Sequence, residues 1–325
     1  MTKSHKRKLL IICGPTATGK TSLAISLAKK FNGEIISADS RQVYIGGDIA
    51  TGKDLPSDAK FYKQNAKLGG FYNVGGVPIW CYDLVSFDKE FSVSQYVGFA
   101  RRIIEHLTSR KKLPIVVGGT GLYIKALVYG LDTLGVPRNK KLRRKLASKK
   151  TYELYTMLVA IDKQKALSLN VSDKNNPRRL IRALEIALYN IANSKPRRDT
   201  LGEIEYNTLT IGLTASPDNT KANLRAKILG RIKSGFYGEL KAWFTQDVSK
   251  VALSAAPIAY KEWSKAKNLG LSKSVFENNW LFAERRYAKR QMTWFKKISS
   301  INWFDVAISG FEKKIENLVR KWYHE

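Results

Sequence analysis

The chain has 325 residues, and its 57 Lys and Arg against 27 Asp and Glu give a net charge of +30. Hydrophobic residues make up 44% of it, enough for a folded core, and no apolar run approaches the roughly 18 residues of a membrane span. Two cysteines and three scattered histidines argue against a disulfide framework, a zinc finger, a His-ligated metal centre and serine-protease chemistry.

The large positive charge predicts an anionic partner, which could be nucleic acid, a membrane surface or a polyphosphate substrate. A lysine-rich proteome gives the same composition with no partner, so the distribution of charge along the chain must decide. The N-terminal MTKSHKRK is basic, but only about five apolar residues follow it, too few for the apolar part of a secretory signal. We therefore expect a cytoplasmic protein with no membrane partner.

Short apolar strands alternate with helices from the start of the chain. The clearest helices are predicted over Lys20–Phe31 and from Ser92 onward, where Gln95 completes a capping box. The predicted strands are Lys8–Cys13, Glu34–Ala38, Ile79–Val85, Pro114–Val117 and Thr208–Leu213. This alternation indicates an α/β fold in which a parallel sheet carries helices on both faces.

A long helical segment separates the fourth predicted strand from the fifth. It is rich in charge and too long for a simple crossover, so we predict a helical insertion domain over 133–195. The core domain then comprises 1–132 and 196–325, and the chain after Asp218 is predicted to form amphipathic helices that pack on it.

The loop after the first strand matches G-x-x-x-x-G-K-[ST] between a strand and a helix, the context that this phosphate-binding motif requires. Its residues are Gly14, Pro15, Thr16, Ala17, Thr18, Gly19, Lys20 and Thr21. The backbone N–H groups of such a loop bind phosphate oxygens at a helix N-terminus, so we expect Lys20 to neutralise a phosphate and Thr21 to ligate Mg²⁺. The alternative is a glycine turn that only joins strand to helix. The motif predicts diphosphate or nucleotide binding and does not specify ATP.

Polar residues at the ends of two other strands complete the predicted P-loop cleft. Asp39 and Gln42 follow the second strand, and Thr120 follows the fourth. The carboxyl ends of parallel strands share one edge of a sheet, so these residues should converge on the phosphate loop. The fourth strand ends in Gly118-Gly119-Thr120 without the acid of a typical ATPase, which argues against a motor or helicase. Asp39 could alternatively serve as a helix cap or as an indirect Mg²⁺ ligand.

Five blocks of sequence, in order and spread over nearly the whole chain, resemble the tRNA dimethylallyltransferase (tRNA isopentenyltransferase) family. They read GPTATGKT, ISADSRQVYIGGDIATGK, PIVVGGTGLYIKALVYGL, NNPRRLIRALE and RRYAKRQMTWF. The resemblance implies transfer of a dimethylallyl group from dimethylallyl diphosphate to N6 of the adenosine 3′-adjacent to the anticodon in tRNA. It also implies that the phosphate loop holds the leaving diphosphate and that Asp39 is the general base, with Thr120 and Lys20 beside the reacting groups.

The same resemblance implies which residues contact the anticodon stem-loop of tRNA. They are Asp39, Ser40, Arg41, Gln42, Thr120, Arg143, Arg178, Arg179, Leu180, Ile181 and Arg182. The chain departs from the family pattern at Lys227, where an Arg that helps to hold diphosphate is usual, and Arg225 and Arg231 lie close by in sequence. We expect a monomer.

The charge is concentrated in the predicted insertion domain and the C-terminal helices. The stretch Arg138–Lys150 contains eight basic residues and no acid, and a helix near 285–297 carries a basic sector with Tyr287, Trp294 and Phe295 on its other side. We predict that these aromatics lie in the core and that the basic faces contact RNA backbone, with a solvated surface as the alternative for the basic faces. Two rival functions stay open: a small-molecule or nucleotide kinase, and an RNA-binding P-loop protein without catalysis.

Overall fold

The computed structural model describes residues 7–56, 58–131, 133–193, 206–245 and 249–325. The chain divides into two compact units: Met1–Val128 with Glu205–Glu325, and the insertion unit Tyr129–Ile204. The predicted insertion 133–195 lies within that second unit, and its boundaries at 132 and 195–196 fall on residues outside the described ones.

A mixed sheet forms the centre of the first unit. Its strands, among the described residues, are β1 (Arg7–Cys13), β2 (Gly33–Ser37), β3 (Lys60–Lys63), β4 (Gly70–Val74), β5 (Val77–Trp80), β6 (Leu113–Gly118), β7 (Tyr206–Thr214) and β8 (Ile301–Asp305). Their order across the sheet is β3-β4-β5-β2-β6-β1-β7-β8. The strands from β5 to β8 pair in parallel, whereas β3, β4 and β5 pair antiparallel.

The α/β fold is confirmed, but the expectation of a purely parallel sheet is wrong at one edge. All five predicted strands are present, and β3, β4 and β8 were not predicted. Residues of β3 are exposed along its whole length, so the strand shows none of the alternation that marks a half-buried strand. Because β8 lies in a region predicted to be helical throughout, that part of the helical prediction is also wrong.

Helices cover both faces of the sheet, as predicted. On one face α1 (Lys20–Lys30) and α15 (Phe311–His324) pack on alternate strand residues in a single apolar cluster. The intervening strand residues point the other way, and α3 (Val93–Ser109) lies against β2 and β6. The predicted capping box begins α3, because Ser92 accepts a hydrogen bond from the Gln95 backbone N–H and Gln95 accepts one from that of Ser92.

Most of the remaining helices of this unit contribute to a second apolar cluster. They are α2 (Asp48–Thr51), α10 (Pro217–Lys233), α11 (Phe236–Phe244), α12 (Lys250–Ala255), α13 (Ile258–Asn268) and α14 (Lys273–Phe295), whereas α4 (Gly121–Tyr129) lies outside it. The cluster surrounds the stacked rings of Phe236 and Trp280, whose centroids are 4.6 Å apart, and it includes Ala50 of α2. It therefore attaches the segment after the Asp39 loop to the C-terminal helices.

The insertion unit has its own apolar core. It contains α5 (Lys140–Leu146), α6 (Thr151–Ile161), α7 (Lys163–Ser168), α8 (Val171–Lys174) and α9 (Pro177–Asn193), with Leu154, Leu158, Leu180 and Leu184 fully buried between them. Among the described helices of the two units, none combines the length and apolarity needed to cross a bilayer.

Candidate active site

The motif loop Gly14–Thr21 connects β1 to the first residues of α1. Gly14 has φ +133°, and a Cβ there would collide with the Leu213 carbonyl oxygen, so glycine allows the loop to leave β1 beside β7. Gly19 adopts a left-handed conformation at the N-cap of α1, and the first turn of the helix contains no acidic residue. The positive end of the helix dipole is therefore not offset by a carboxylate from its own first turn.

Lys20 lies at this helix end with its charge poorly solvated. Burial, and then the positive charge of Lys227, lower the pKa of Lys20 to about 8. Its Nζ donates a hydrogen bond of 2.5 Å to the Pro15 carbonyl oxygen. A cation held this way gains most when an anion enters the cleft, because the anion offsets both the burial and the neighbouring positive charge.

The ends of β2 and β6 are joined by hydrogen bonds that bring Asp39 and Thr120 together. The Ser40 N–H donates to Thr120 Oγ1 over 2.9 Å, and the Thr120 N–H donates to the Ala38 carbonyl over 3.1 Å. Asp39 Oδ1 accepts from the Arg41 N–H over 2.8 Å, which orients the carboxylate. Asp39 and Lys20 both line one cleft, so the structure assembles the two predicted constellations in one place.

The neighbours of Asp39 hold the loop that carries it. Arg41 donates to the Ala255 carbonyl over 2.5 Å, at the end of α12. Gln42 accepts from Ser37 Oγ over 2.8 Å and donates to the Gly52 carbonyl over 2.8 Å. Gln42 thus ties the Asp39 loop to the residue that follows α2.

Two side chains of α14 reach this site, and the sequence did not point to them. Gln291 is buried, accepts from the Thr16 N–H over 2.9 Å and donates to the Gly119 carbonyl over 3.0 Å, so it bridges the phosphate loop and the end of β6. Tyr287 hydrogen-bonds to Thr120, and burial followed by the charge of Asp39 raises its pKa. The prediction of a core position is confirmed for Phe295 and is incomplete for Tyr287, because that ring also reaches the site.

The residues predicted to contact tRNA from α9 and α5 divide into two groups. Leu180 is fully buried in the insertion core, where its side chain packs, and its contact with tRNA stays a prediction. Ile181 is partly buried against the same core. Arg178 and Arg179 are exposed, and Arg179 pairs with Asp173. Their exposure leaves RNA contact a prediction for these two.

Arg143 and Arg182 are held by one buried carboxylate, that of Glu185. Arg143 binds it through Nε and Nη2 at 2.9 and 2.8 Å, and Arg182 binds it through Nη1 at 2.6 Å. Burial tends to raise the pKa of Glu185, but these bonds and one from the Asn139 N–H lower it to about 2. Arg182 also donates to the Thr133 and Val136 carbonyls. Both arginines therefore support the insertion unit, and their contact with tRNA stays a prediction.

The cleft offers oxygen atoms that suit Mg²⁺. Thr21, Asp39 and Asp54 line it, and a hydroxyl with one or two carboxylates suits a cation that keeps several waters and shares phosphate oxygens with a substrate. The described residues contain no cluster of three or more His, Cys, Asp or Glu that would form a cage for a metal. The donor set therefore fits a metal that arrives with a phosphate ligand.

Comparison with known proteins gives a consistent result. A sequence model described as IPP transferase matches residues 42–298, and one described as isopentenyl transferase matches 7–67. The chain is 35% identical to the tRNA dimethylallyltransferase of Anoxybacillus flavithermus and 34% identical to that of Geobacillus thermodenitrificans, in each case over 96% of this chain and 95% of the relative.

Solved structures extend the comparison to the fold. The full-length tRNA isopentenylpyrophosphate transferase of Bacillus halodurans is 30% identical, with a TM-score of 0.69 over 98% of this chain and 97% of that one. A eukaryotic dimethylallyltransferase acting on tRNA is 26% identical, with a TM-score of 0.72 over 93% of this chain and 74% of that one.

Proposed function

The chain belongs to the IPP transferase family, and from that premise we propose that it transfers a dimethylallyl group from dimethylallyl diphosphate to N6 of the adenosine 3′-adjacent to the anticodon in tRNA, releasing diphosphate. The observation that carries the proposal is the single cleft lined by the phosphate loop, with Lys20, and by Asp39. Asp39 is fixed beside Thr120 at the ends of β2 and β6. This cleft can therefore bind a diphosphate leaving group beside Lys20 and place a substrate amine beside Asp39.

The chain's own residues supply three functions in this reaction. Backbone N–H groups of the phosphate loop, the N-terminus of α1 and Lys20 bind the leaving diphosphate and stabilise the charge it gains as its bond to the allylic carbon breaks. As N6 forms its bond to that carbon, Asp39 accepts an N6 proton as general base. Thr120 supports the Asp39 loop through its bond to Ser40.

Mg²⁺ would be held by the Thr21 hydroxyl together with phosphate oxygens of the donor. When bound, it supplies charge neutralisation at the diphosphate. Asp39 and Asp54 are the carboxylates that line the same cleft.

The adenine must leave the stacked anticodon loop to reach a cleft of this kind, as in other enzymes that act on a base. We assign backbone contacts in tRNA to the exposed Arg178 and Arg179 of the insertion unit and to the basic residues of α14. A net charge of +30 supports this assignment, because tRNA is a polyanion. The site of action would be the cytoplasm, and the protein would act as a monomer.

One assay separates this function from its rivals. The protein is incubated with dimethylallyl diphosphate labelled in the allylic group and with unmodified tRNA, and the RNA is digested to nucleosides. We expect label on N6-modified adenosine, and none when the adenosine 3′-adjacent to the anticodon is replaced by guanosine. A kinase would instead consume labelled ATP without labelling RNA from the isoprenoid. An RNA-binding protein without catalysis would retain tRNA and leave it unlabelled.

A further inference from the structure

Arg231 is a buried cation in the cleft that the phosphate-loop motif does not include. It lies on α10 one turn after Lys227, and both residues line the same cleft as Lys20. The Arg231 side chain is only 10% exposed, and its Nε is buried without a hydrogen-bond partner. A buried guanidinium N–H without a partner is costly and rare in folded proteins, so its presence in a cleft needs an explanation.

The ion pair with Glu284 accounts for only part of this guanidinium. Glu284 Oε1 lies 3.6 Å from Arg231 Nη1, beyond hydrogen-bond distance, and the same oxygen accepts from Trp280 Nε1 over 3.2 Å. The N–H donors of the Arg231 guanidinium are therefore not all hydrogen-bonded within the protein. A carboxylate at this distance keeps the cation at the cleft without binding its Nη1 donor in a hydrogen bond.

The backbone on the other side of Arg231 makes room for it. Gly52 has φ +65°, and a Cβ at this position would collide with the terminal Nη2 of Arg231. Gly52 follows α2, and its carbonyl accepts the hydrogen bond from Gln42. The turn after α2 is thus shaped around the guanidinium.

The two lysines of the cleft are already engaged. Lys227 Nζ binds Asp54 Oδ2 over 2.9 Å, and Lys20 Nζ binds the Pro15 carbonyl. Both are point charges, whereas a guanidinium presents a fork of N–H donors that matches two phosphate oxygens at once. Arg231 is consequently the group in this cleft best suited to bidentate recognition of phosphate.

We propose that Arg231 is a further ligand of the donor's diphosphate, acting together with Lys20 and the phosphate loop. This proposal rests on the proposed function, because it takes the cleft to be the donor site. It assigns the bidentate phosphate contact to Arg231 and leaves Lys227 as a charge partly offset by Asp54.

The test compares Arg231→Met and Arg231→Lys with wild type, using calorimetric titration with inorganic diphosphate. Charge-assisted hydrogen bonds of this kind predict a Kd raised about 10- to 100-fold for Arg231→Met. The diphosphate Kd of Arg231→Lys should lie between those of wild type and Arg231→Met, because lysine restores the charge without the planar set of N–H donors. KM for dimethylallyl diphosphate should rise in parallel, with the Kd for tRNA unchanged. The matched control is Arg225→Met, which removes an exposed arginine of the same helix and should leave all three values unchanged.

A purely structural role would give a different pattern. If Arg231 served only as the partner of Glu284, Arg231→Met, Arg231→Lys and Glu284→Gln would alter Tm and leave the diphosphate Kd at the wild-type value. That result would overturn the proposal, as would weakened tRNA binding with unchanged diphosphate binding. Should Arg231→Met fail to fold, Arg231→Lys still decides by its diphosphate Kd.

The Lys20→Ala variant separates this inference from the proposed function. If wild type binds diphosphate and Lys20→Ala does not, while both Arg231 variants bind as wild type does, only the role of Arg231 is overturned. If wild type itself shows no diphosphate binding, the donor site and the proposed function fall together with it.

Discussion

At the residue scale, the lowered pKa of Lys20 makes ligand binding depend on pH. Its pKa of about 8 lies below the ordinary lysine value of 10.5, so the folded free protein binds fewer protons at this site than the unfolded chain. Lys20 therefore opposes folding at neutral pH, and stability rises as the pH increases from about 8 towards 10.5. A bound diphosphate favours the charged lysine and should reverse this shift.

We predict that diphosphate binding takes up protons at pH 8.5. The measurement is the heat of binding in two buffers of different ionisation enthalpy, after subtracting the ligand's own titration. Uptake should approach one proton at most in wild type, persist in Lys29→Ala, which alters an exposed lysine of α1, and disappear in Lys20→Ala. Equal heats in both buffers for wild type would show that Lys20 does not meet the diphosphate.

The proximity of Asp39 and Thr120 could be predicted from sequence, whereas that of Gln291 could not. Asp39 and Thr120 follow strands of a parallel sheet, so topology alone places them at one edge. Gln291 lies in a helix of basic and aromatic residues, and no periodicity distinguishes a glutamine that bridges Thr16 and Gly119 from one that faces solvent. The same limit applies to Arg231, whose partners come from distant segments.

At the element scale, α9 depends on a buried carboxylate that binds two arginines. Hydrogen bonds to Glu185 lower its pKa to about 2 despite its burial. A carboxyl group whose pKa is lowered on folding stabilises the folded state at pH values above its ordinary pKa of 4.5. This contribution is lost as the pH falls from 4.5 towards 2. The insertion unit should therefore weaken in acid.

We expect Glu185→Gln to destabilise the insertion unit by about 1–3 kcal/mol at pH 7, because two arginines lose a charged acceptor. Hydrogen exchange of α9 in the full chain reports this loss, and the difference from wild type should shrink as the pH falls below 4.5. Glu153→Gln, at a half-buried position of α6 that pairs with Lys149, is the control and should change α9 little. Equal protection of α9 in wild type and Glu185→Gln would contradict this role.

Salt dependence tests the exposed face of the same helix. If Arg178 and Arg179 contact tRNA phosphates, the double replacement by Ala should flatten the log–log salt slope of tRNA binding by about 0.7 to 0.9 per lost contact. The matched control is Lys163 with Lys165, two basic residues of α7, replaced by Ala. Unchanged affinity and slope in the Arg178 and Arg179 variant would assign that face to solvent.

Among the strands missed from the sequence, β3 has a clear physical reason. β3 lies at one edge of the sheet, and all four of its residues are exposed. Its sequence, Lys-Phe-Tyr-Lys, therefore lacks the alternation of apolar and polar residues that marks a half-buried strand. It is identified only by its pairing with β4, a contact that arises after the chain folds back. Buried strands such as β1 and β6 carry continuous apolar runs and were predicted within one or two residues.

At the scale of the whole molecule, sequence predicted the α/β fold and a helical insertion, and the insertion unit spans Tyr129–Ile204 where 133–195 was expected. Composition predicted an anionic partner, and the relatives named tRNA dimethylallyltransferase are consistent with that expectation. What composition could not predict is which basic residues face solvent: Arg143 and Arg182 are both bound to the buried carboxylate of Glu185, whereas Arg178 and Arg179 are exposed.

The central claim is that one cleft holds the diphosphate and removes the N6 proton, and single-turnover transfer by Asp39→Asn tests it most directly. Asn keeps the shape of the side chain but is not a base. The account predicts a rate of dimethylallyl transfer to tRNA lowered by roughly 10²- to 10⁴-fold, with donor and tRNA affinities nearly unchanged. A rate within a few-fold of wild type, or weakened donor binding that high Mg²⁺ restores, would contradict Asp39 as the general base.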